Sequence, residues 1–201
     1  MSARRRTSEV RQVELTDAAL RLIATRGIAA LSTRSLAAEV GLSSGAIFRH
    51  FPSLDALLDA VVARVEAVLE STYPPRELPP RERLARFVEA RSAAVGSQVG
   101  ILRLVLSEQF LLALPSAASA RLSACVRKTR EFLAACLREG QARDELRADL
   151  DAGALAAVVM GTVQVLALST AGGKRRDAEA RLVRESLLTL LAPPAPRRRS
   201  R

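Results

Sequence analysis

The chain has very few of the residues on which metal binding and acid–base chemistry usually depend. Its 201 residues include one histidine, two cysteines, one tyrosine and no tryptophan, and aromatic residues make up only 3%. A single histidine excludes a histidine-based metal cluster or proton relay, and the sequence has neither a Gly-rich phosphate loop nor Cys/His metal spacing. These absences argue against an enzyme, and we expect no cofactor and no metal site.

The two cysteines are too few for a disulfide scaffold. Cys125 and Cys136 lie eleven residues apart in one predicted helix, which separates them by about 16 Å along its axis. A disulfide needs Cα atoms within about 7 Å. We therefore predict two core thiols in a reducing cytoplasm, with a redox-sensing thiol as the alternative.

Long hydrophobic runs are also missing. Met1 is followed directly by charged residues, so nothing at that end predicts export. The most apolar stretch, residues 152–168, is shorter than the roughly 20 residues that a membrane span needs. Because it has no polar face, we expect a helix that is buried on several sides, no membrane insertion and a cytoplasmic location.

The net charge of +10 is concentrated at the two ends of the chain. Residues 1–50 hold eight arginines and four acids, and residues 193–201 hold four arginines and no acid. Arg4, Arg5 and Arg6 form a basic arm that is suited either to DNA phosphates or the minor groove, or simply to solvation. The Pro- and Arg-rich tail is expected to be disordered and to have no sequence-specific role.

Apolar residues recur at helical spacing throughout, and no stretch alternates as a strand does. Breakers such as Gly27, Gly41 and Gly140 separate the apolar stripes. We predict an all-α protein with nine helices. They are one before Gly27, two within residues 33–51, one from Ser53 to near Tyr73, one from Pro80 to Val95, and then helices at about 101–114, 116–140, 152–171 and 175–191.

Residues 33–51, TRSLAAEVGLSSGAIFRHF, have the pattern of a helix-turn-helix. We predict that Thr33 caps the first helix, that Gly41 forms the turn, and that Ser43 or Ser44 caps the second helix. On spacing alone, DNA binding and an ordinary helical corner both remain open.

The flanking residues extend this pattern into a family resemblance. The motifs AAxxLxxxxG, VGLSSGAIFRHF and FPSxxALL follow one another within residues 9–69. Together they closely resemble the DNA-binding domain of the TetR family of bacterial transcriptional regulators. The resemblance implies a homodimer that binds a palindromic double-stranded DNA operator, with a helical regulatory domain after the DNA-binding domain.

The resemblance, together with the faces of the predicted helices, gives a set of DNA-binding residues. Arg49 is the candidate for a bidentate contact to guanine or, equally, for a phosphate contact. His50 is expected at the DNA backbone, with a purely structural histidine as the alternative. The predicted set is Thr33, Arg34, Ser43, Ser44, Gly45, Ala46, Phe48, Arg49 and His50.

Two positions depart from the family pattern. Phe48 stands where many relatives have tyrosine, and Leu54 stands where they usually have lysine. Each change removes a contact to the DNA backbone. The change at Leu54 also lowers the expected slope of log affinity against log salt concentration by roughly one.

The regulatory half carries two further sets of candidates. The family resemblance implies an effector pocket, here mainly aliphatic and suited to a small hydrophobic or acyl-type effector. Its candidate lining is Val65, Leu69, Phe87, Arg91, Leu102, Leu106, Phe110, Phe132, Cys136 and Gln164. The last two helices are expected to form the dimer interface through Leu155, Val158, Val159, Thr162, Leu166, Leu182, Val183, Leu187 and Leu190.

The sequence thus predicts a DNA-binding transcriptional regulator, a homodimeric repressor that a small molecule releases from its operator. The alternatives are an architectural or partner-regulated DNA-binding protein without an effector, and a ligand-binding protein with a degenerate DNA-binding domain. The predicted organisation is a basic arm (1–8), a DNA-binding domain (9–52), an effector and dimerisation domain (53–192) and a basic tail (193–201).

Overall fold

The computed structural model describes residues 8–96, 101, 112, 114–169 and 174–194, and within these ranges the chain is all-helical with no strand. This confirms the predicted fold class. The chain divides into two units, one formed by residues up to Ser71 with 98–125, and the other by 72–97 with 126–201. The predicted helix at 101–114 lies almost entirely outside the described residues, as do most of the basic arm and the basic tail.

The first unit begins with a three-helix arrangement followed by a longer helix. Its elements are α1 (Ser8–Arg26), a single 3-10 turn (Ile28–Ala30), α2 (Thr33–Val40), α3 (Ser44–Phe48) and α4 (Leu54–Glu70). α1 packs against α2 and α4, and α2 packs against α3. The largest side chains fully buried in these helices are Leu15, Leu22, Leu36, Ile47 and Leu57.

The turn between α2 and α3 depends on a glycine. Gly41 has φ 68° and ψ 35°, and its amide donates to the carbonyl of Ala37. Residues with a Cβ rarely adopt this left-handed conformation, so glycine ends the helix here at little cost. The turn predicted at Gly41 is therefore confirmed.

The cap of α2 differs from the prediction by one residue. Ser32, and not Thr33, is the N-cap: its hydroxyl accepts from the Ser35 amide at 3.1 Å. The Ser35 hydroxyl in turn accepts from the Ser32 amide at 2.9 Å, which completes a reciprocal capping box. Thr33 therefore begins the helix instead of capping it.

The second unit is built on α5 (Pro80–Gly96), α7 (Ala152–Ser169) and α8 (Lys174–Leu191), each of which packs against the other two. A long helix, α6 (Ser116–Ala142), begins in the first unit and ends in the second. The core of the second unit joins these helices through residues such as Leu84, Phe87, Leu133, Val159 and Leu187.

Both cysteines lie on α6 and neither forms a disulfide, as predicted. Cys136 is buried, and its Sγ donates to the carbonyl oxygen of Pro80 at 3.2 Å. Burial raises the pKa of the Cys136 thiol to about 11. In the described ranges, no helix has the combined length and hydropathy of a membrane span.

Candidate nucleic-acid interface

α3 is short, and its orientation is set by one buried side chain and one cap. Ile47 is almost completely buried, whereas Phe48, the next residue, is half exposed. The Ser43 hydroxyl caps the helix by accepting from the Ala46 amide at 3.2 Å. α3 is thus fixed to the core along one side and presents the other side outward.

Most of the predicted DNA-binding residues lie on the outward side of α2 and α3. The exposed members of the set are Arg34, Ser43, Ser44, Gly45, Phe48 and Arg49, and the half-buried members are Thr33 and His50. Space around Gly45 is open, since a Cβ added there would meet no atom within 4 Å. The backbone of α3 can therefore approach a surface closely at this position.

Ala46 is a correction to the predicted set. Only 7% of its surface is exposed, and it lies with Ile47 in the core instead of facing outward. Its small side chain occupies the inner side of α3, where a larger residue would push the helix away from its neighbours. Ala46 therefore supports α3 structurally and is not available for a base contact.

The end of α3 is held by side chains of α1 that the sequence did not point to. Gln12 Nε2 donates to the carbonyl oxygen of His50 at 3.0 Å. The hydroxyl of Ser8 lies 3.4 Å from Nδ1 of His50, within hydrogen-bonding reach. These pairs are separated by 38 and 42 residues in the sequence, so no local pattern indicates them.

α4 is held by ion pairs on two sides. Arg64 Nε lies 3.3 Å from Oδ1 of Asp17 on α1. Arg121 on α6 donates through Nε to Glu66 Oε1 at 3.0 Å and through Nη1 to Asp59 Oδ1 at 2.6 Å, and its Nη2 pairs with Glu66 Oε2. The hydrogen bond to Glu66 raises the pKa of Arg121 above its ordinary value. The fork from Arg121 therefore fixes two successive acidic positions of α4.

Three aromatic rings of the second unit meet around a buried guanidinium group. Tyr73, Phe87 and Phe132 have ring centroids 5.1 to 5.8 Å apart. The guanidinium carbon of Arg91, a residue with 4% exposure, lies 4.9 Å from the Phe87 centroid and 5.1 Å from that of Tyr73. Lys128 Nζ lies 5.2 Å from the Tyr73 centroid. Half of the six aromatic residues in the chain therefore lie in this aromatic cluster.

The structure brings only part of the predicted effector set together. Phe87, Phe132 and Arg91 meet in the aromatic cluster, and Tyr73, which the sequence did not single out, joins them. Val65 and Leu69 are buried in the first unit, Cys136 is buried in the second, and Gln164 is half-buried. Leu102, Leu106 and Phe110 lie outside the described residues.

An open groove of about 490 Å³ lies between α1 and α4 in the first unit. None of the predicted effector residues lines this groove. Its lining residues are Glu9, Gln12, Val13, Thr16, Phe51, Ala60, Ala63 and Arg64.

The predicted dimer set divides into inward and outward residues. Leu155, Val159, Leu166 and Leu187 belong to the core of the second unit itself, so they are not free to meet another subunit. The outward residues of the set, Val158, Leu182 and Leu190, are each more than half exposed, and Thr162 and Val183 are half-buried. Val165, which the prediction missed, is also more than half exposed. A helix that is apolar on all sides gives no sequence signal for which side faces inward.

Both halves of the chain match sequence profiles of known protein families. The sequence profile described as "Bacterial regulatory proteins, tetR family" matches residues 15–61. The profile described as "Tetracyclin repressor-like, C-terminal domain" matches residues 112–185. The two matches together cover more than half of the sequence.

Individual relatives agree with these profiles. The nucleoid occlusion factor SlmA of Haemophilus influenzae (strain PittGG) is 37% identical over 68 residues, which span 34% of this chain and only 31% of that protein. The ketosteroid transcriptional regulator KstR2 of Mycobacterium tuberculosis shares the fold, with a TM-score of 0.79 and 21% identity over 90% of this chain and 95% of that one.

AibR, solved in complex with isovaleryl coenzyme A and operator DNA, also has this fold. Its TM-score is 0.75 and its identity 19%, over 92% of this chain and 100% of that one. The exposed helix-turn-helix surface, the all-helical fold and the two profile matches agree. The chain belongs to the TetR family and is a DNA-binding transcriptional regulator.

Proposed function

We propose that the protein is a cytoplasmic repressor that binds a palindromic operator as a homodimer and dissociates when a small hydrophobic effector binds. The observation that carries the DNA-binding part is the outward side of α3. There Ser44, Gly45, Phe48 and Arg49 are exposed while Ile47 fixes the helix to the core. A helix anchored in this way can enter the major groove with its outward side chains against the base edges.

Each outward residue has a contact that its chemistry favours. Arg49 carries a guanidinium fork that matches O6 and N7 of guanine. Phe48 lacks a hydroxyl but offers an apolar edge to a thymine methyl group. Thr33 and Arg34, in the first turn of α2, are suited to phosphate oxygens.

The homodimer is supported by the apolar surface that α7 and α8 leave uncovered. Val158 and Val165 lie seven residues apart on α7, and Leu182 and Leu190 lie eight apart on α8, so each pair shares one face of its helix. All four are between 54% and 61% exposed. Because two copies related by a two-fold axis place two copies of α3 on the DNA, the operator is expected to be palindromic.

The effector is supported by the aromatic cluster in the second unit. A buried arginine beside three rings supplies both apolar surface and a directional donor, the combination that small-molecule sites use. AibR was solved with isovaleryl coenzyme A and operator DNA together, which supports a small-molecule ligand for this chain as well. We also retain the domain boundaries predicted from the sequence, with DNA binding assigned to 9–52 and regulation to 53–192.

Selection of bound duplexes from a random-sequence pool tests the proposal, with wild type and Arg49→Ala compared at physiological salt. Wild type is expected to enrich a palindromic motif that is relaxed or lost in Arg49→Ala. The matched control is Arg127→Ala, since Arg127 is an exposed arginine on α6 whose pair with Glu131 is long, at 3.8 Å. Failure of wild type to enrich any motif would contradict a sequence-specific repressor.

A further inference from the structure

We propose that Gln12 and Ser8 of α1 are positioning residues that hold His50 at the end of α3 as a hydrogen-bond donor to a DNA phosphate. In this arrangement Nε2 donates the hydrogen bond to the phosphate, and Nδ1 accepts one from Ser8. The inference deepens the proposed function because it rests on His50 contacting the DNA backbone.

Gln12 fixes the main chain of His50. His50 lies two residues beyond α3, and a half-buried carbonyl group outside a helix needs a donor from elsewhere in the chain. The Gln12 amide supplies such a donor to the His50 carbonyl oxygen at 3.0 Å. Gln12 is itself placed in α1, where its carbonyl oxygen accepts from the Thr16 hydroxyl at 2.8 Å. A side chain of α1 therefore fixes the main chain just beyond the end of α3.

Ser8 and a DNA phosphate together would fix which nitrogen of the imidazole ring carries the proton. A neutral histidine has one donor nitrogen and one acceptor nitrogen, and the hydrogen bond at one nitrogen decides the role of the other. A serine hydroxyl can serve either form, but a phosphate oxygen only accepts. With Ser8 at 3.4 Å from Nδ1, a phosphate contact requires the proton on Nε2, and the hydroxyl of Ser8 then donates to Nδ1.

The remaining surroundings of His50 leave Nε2 available. His50 is half-buried, and the structure gives its ring no hydrogen bond to the described part of the chain other than that of Ser8. His50 and Arg49 are adjacent, so a phosphate that meets His50 would lie beside the side chain assigned to base recognition. The contact would therefore fix the register of α3 on the duplex.

The tautomer can be measured directly because His50 is the only histidine in the chain. Untagged protein labelled with ¹⁵N gives a single set of imidazole nitrogen resonances at pH 8.5. Wild type bound to a 30-base-pair duplex is expected to show the Nε2–H form alone. An Nδ1–H form in the bound wild type would overturn the inference.

Binding to DNA provides the second test, and it does not require the operator. A phosphate contact is independent of sequence, so a fluorescent 30-base-pair duplex of random sequence serves as the probe at low salt. Ser8→Ala, Gln12→Met and His50→Ala are each expected to weaken binding by about three- to fivefold, as loss of one hydrogen bond implies. Gln12→Glu should bind the duplex more weakly still, because a carboxylate would face the carbonyl oxygen of His50.

A double-substitution cycle distinguishes positioning from a general loss of stability. If Ser8 acts through His50, Ser8→Ala should have no further effect in the His50→Ala background. Thr25→Ala is the matched control, since it removes an exposed hydroxyl from the same helix away from His50. Additive effects of Ser8→Ala and His50→Ala would overturn positioning while leaving DNA binding intact, whereas absence of wild-type binding would overturn both.

Discussion

Asp144 adopts a backbone conformation that favours glycine. Its φ is 56°, and it is the only non-glycine residue with positive φ in the described ranges. It lies after α6, in a turn where its amide donates to the Gln141 carbonyl at 3.2 Å.

We expect Asp144→Gly to stabilise the protein by up to about 1 kcal/mol, because it removes the cost of a Cβ in the left-handed region. Asp144→Ala should lower the free energy of unfolding, since alanine keeps the Cβ and lacks the short polar side chain with which aspartate tolerates this conformation. Urea unfolding of the three proteins measures both effects. An Asp144→Gly variant less stable than Asp144→Ala would contradict this explanation.

Cys136 makes the folded state sensitive to alkaline pH. Burial raises the pKa of its thiol to about 11, whereas an unfolded cysteine titrates near 9.0. Between these values the unfolded chain releases a proton that the folded chain retains. The contribution of Cys136 to the free energy of unfolding should therefore be fully present below pH 9. It should be lost as the pH rises towards 11, by at most about 2–3 kcal/mol.

The measurement is the free energy of unfolding in urea from pH 8 to 10.5 under reducing conditions. Cys136→Ala is the control: it will be less stable at every pH because of the cavity, but its stability should fall less steeply with pH. All other side chains are the same in both proteins, so the difference between the two slopes isolates Cys136. Equal slopes would show that Cys136 is not responsible.

At the scale of elements, α7 and α8 present the proposed dimer face. Val165→Glu should yield a monomer, because a carboxylate would be buried against the second copy without a partner. Operator affinity should then drop by roughly 100-fold or more, since two linked half-sites bind far more tightly than one. Size-exclusion chromatography with light scattering, followed by operator titration, measures both effects.

The matched control is Leu150→Glu. Leu150 is an exposed leucine in the loop before α7, outside the proposed face. It should leave the dimer and its affinity unchanged. A Val165→Glu protein that remains dimeric would place the interface elsewhere.

Helix positions were largely predictable because their signals are local. Breakers and caps such as Gly27, Gly41 and Ser43 are read within a few residues, and the helices end or begin beside them. The cap at Ser32 was missed because serine and threonine are both favoured N-cap residues and the two stand side by side. Only the reciprocal bond with Ser35 distinguishes them.

The parts of the site that depend on tertiary packing were not predictable. Periodicity assigns Ala46 to a helix, but it does not tell which side of a five-residue helix faces the core. The pairs Gln12–His50 and Arg121–Glu66 join residues 38 and 55 positions apart. With one sequence, nothing reports such pairs before the fold brings them together.

At the scale of the whole molecule, the charge distribution gives a prediction about DNA affinity. Deleting residues 2–6 removes Arg4, Arg5 and Arg6. If this arm contacts phosphates, the deletion should weaken binding about equally for all sequences and reduce the salt slope by up to about three. Titration of operator and random duplexes at several salt concentrations measures this.

Deleting residues 196–201 is the control, because it removes four arginines from the other end. If only net charge mattered, this deletion would weaken binding at least as much as loss of the arm. We expect a much smaller effect from it. Equal effects of the two deletions would mean that the arm has no specific place on the DNA.

The aromatic cluster also determines what this protein emits when ultraviolet light excites it. Because the chain has no tryptophan and Tyr73 is its only tyrosine, the intrinsic emission comes from one ring. That ring lies next to two phenylalanines and within 5.2 Å of two cationic groups. Any molecule that enters the cluster would change the brightness of this single ring. Effector libraries can therefore be screened on the unlabelled protein, with Tyr73→Phe as the dark reference.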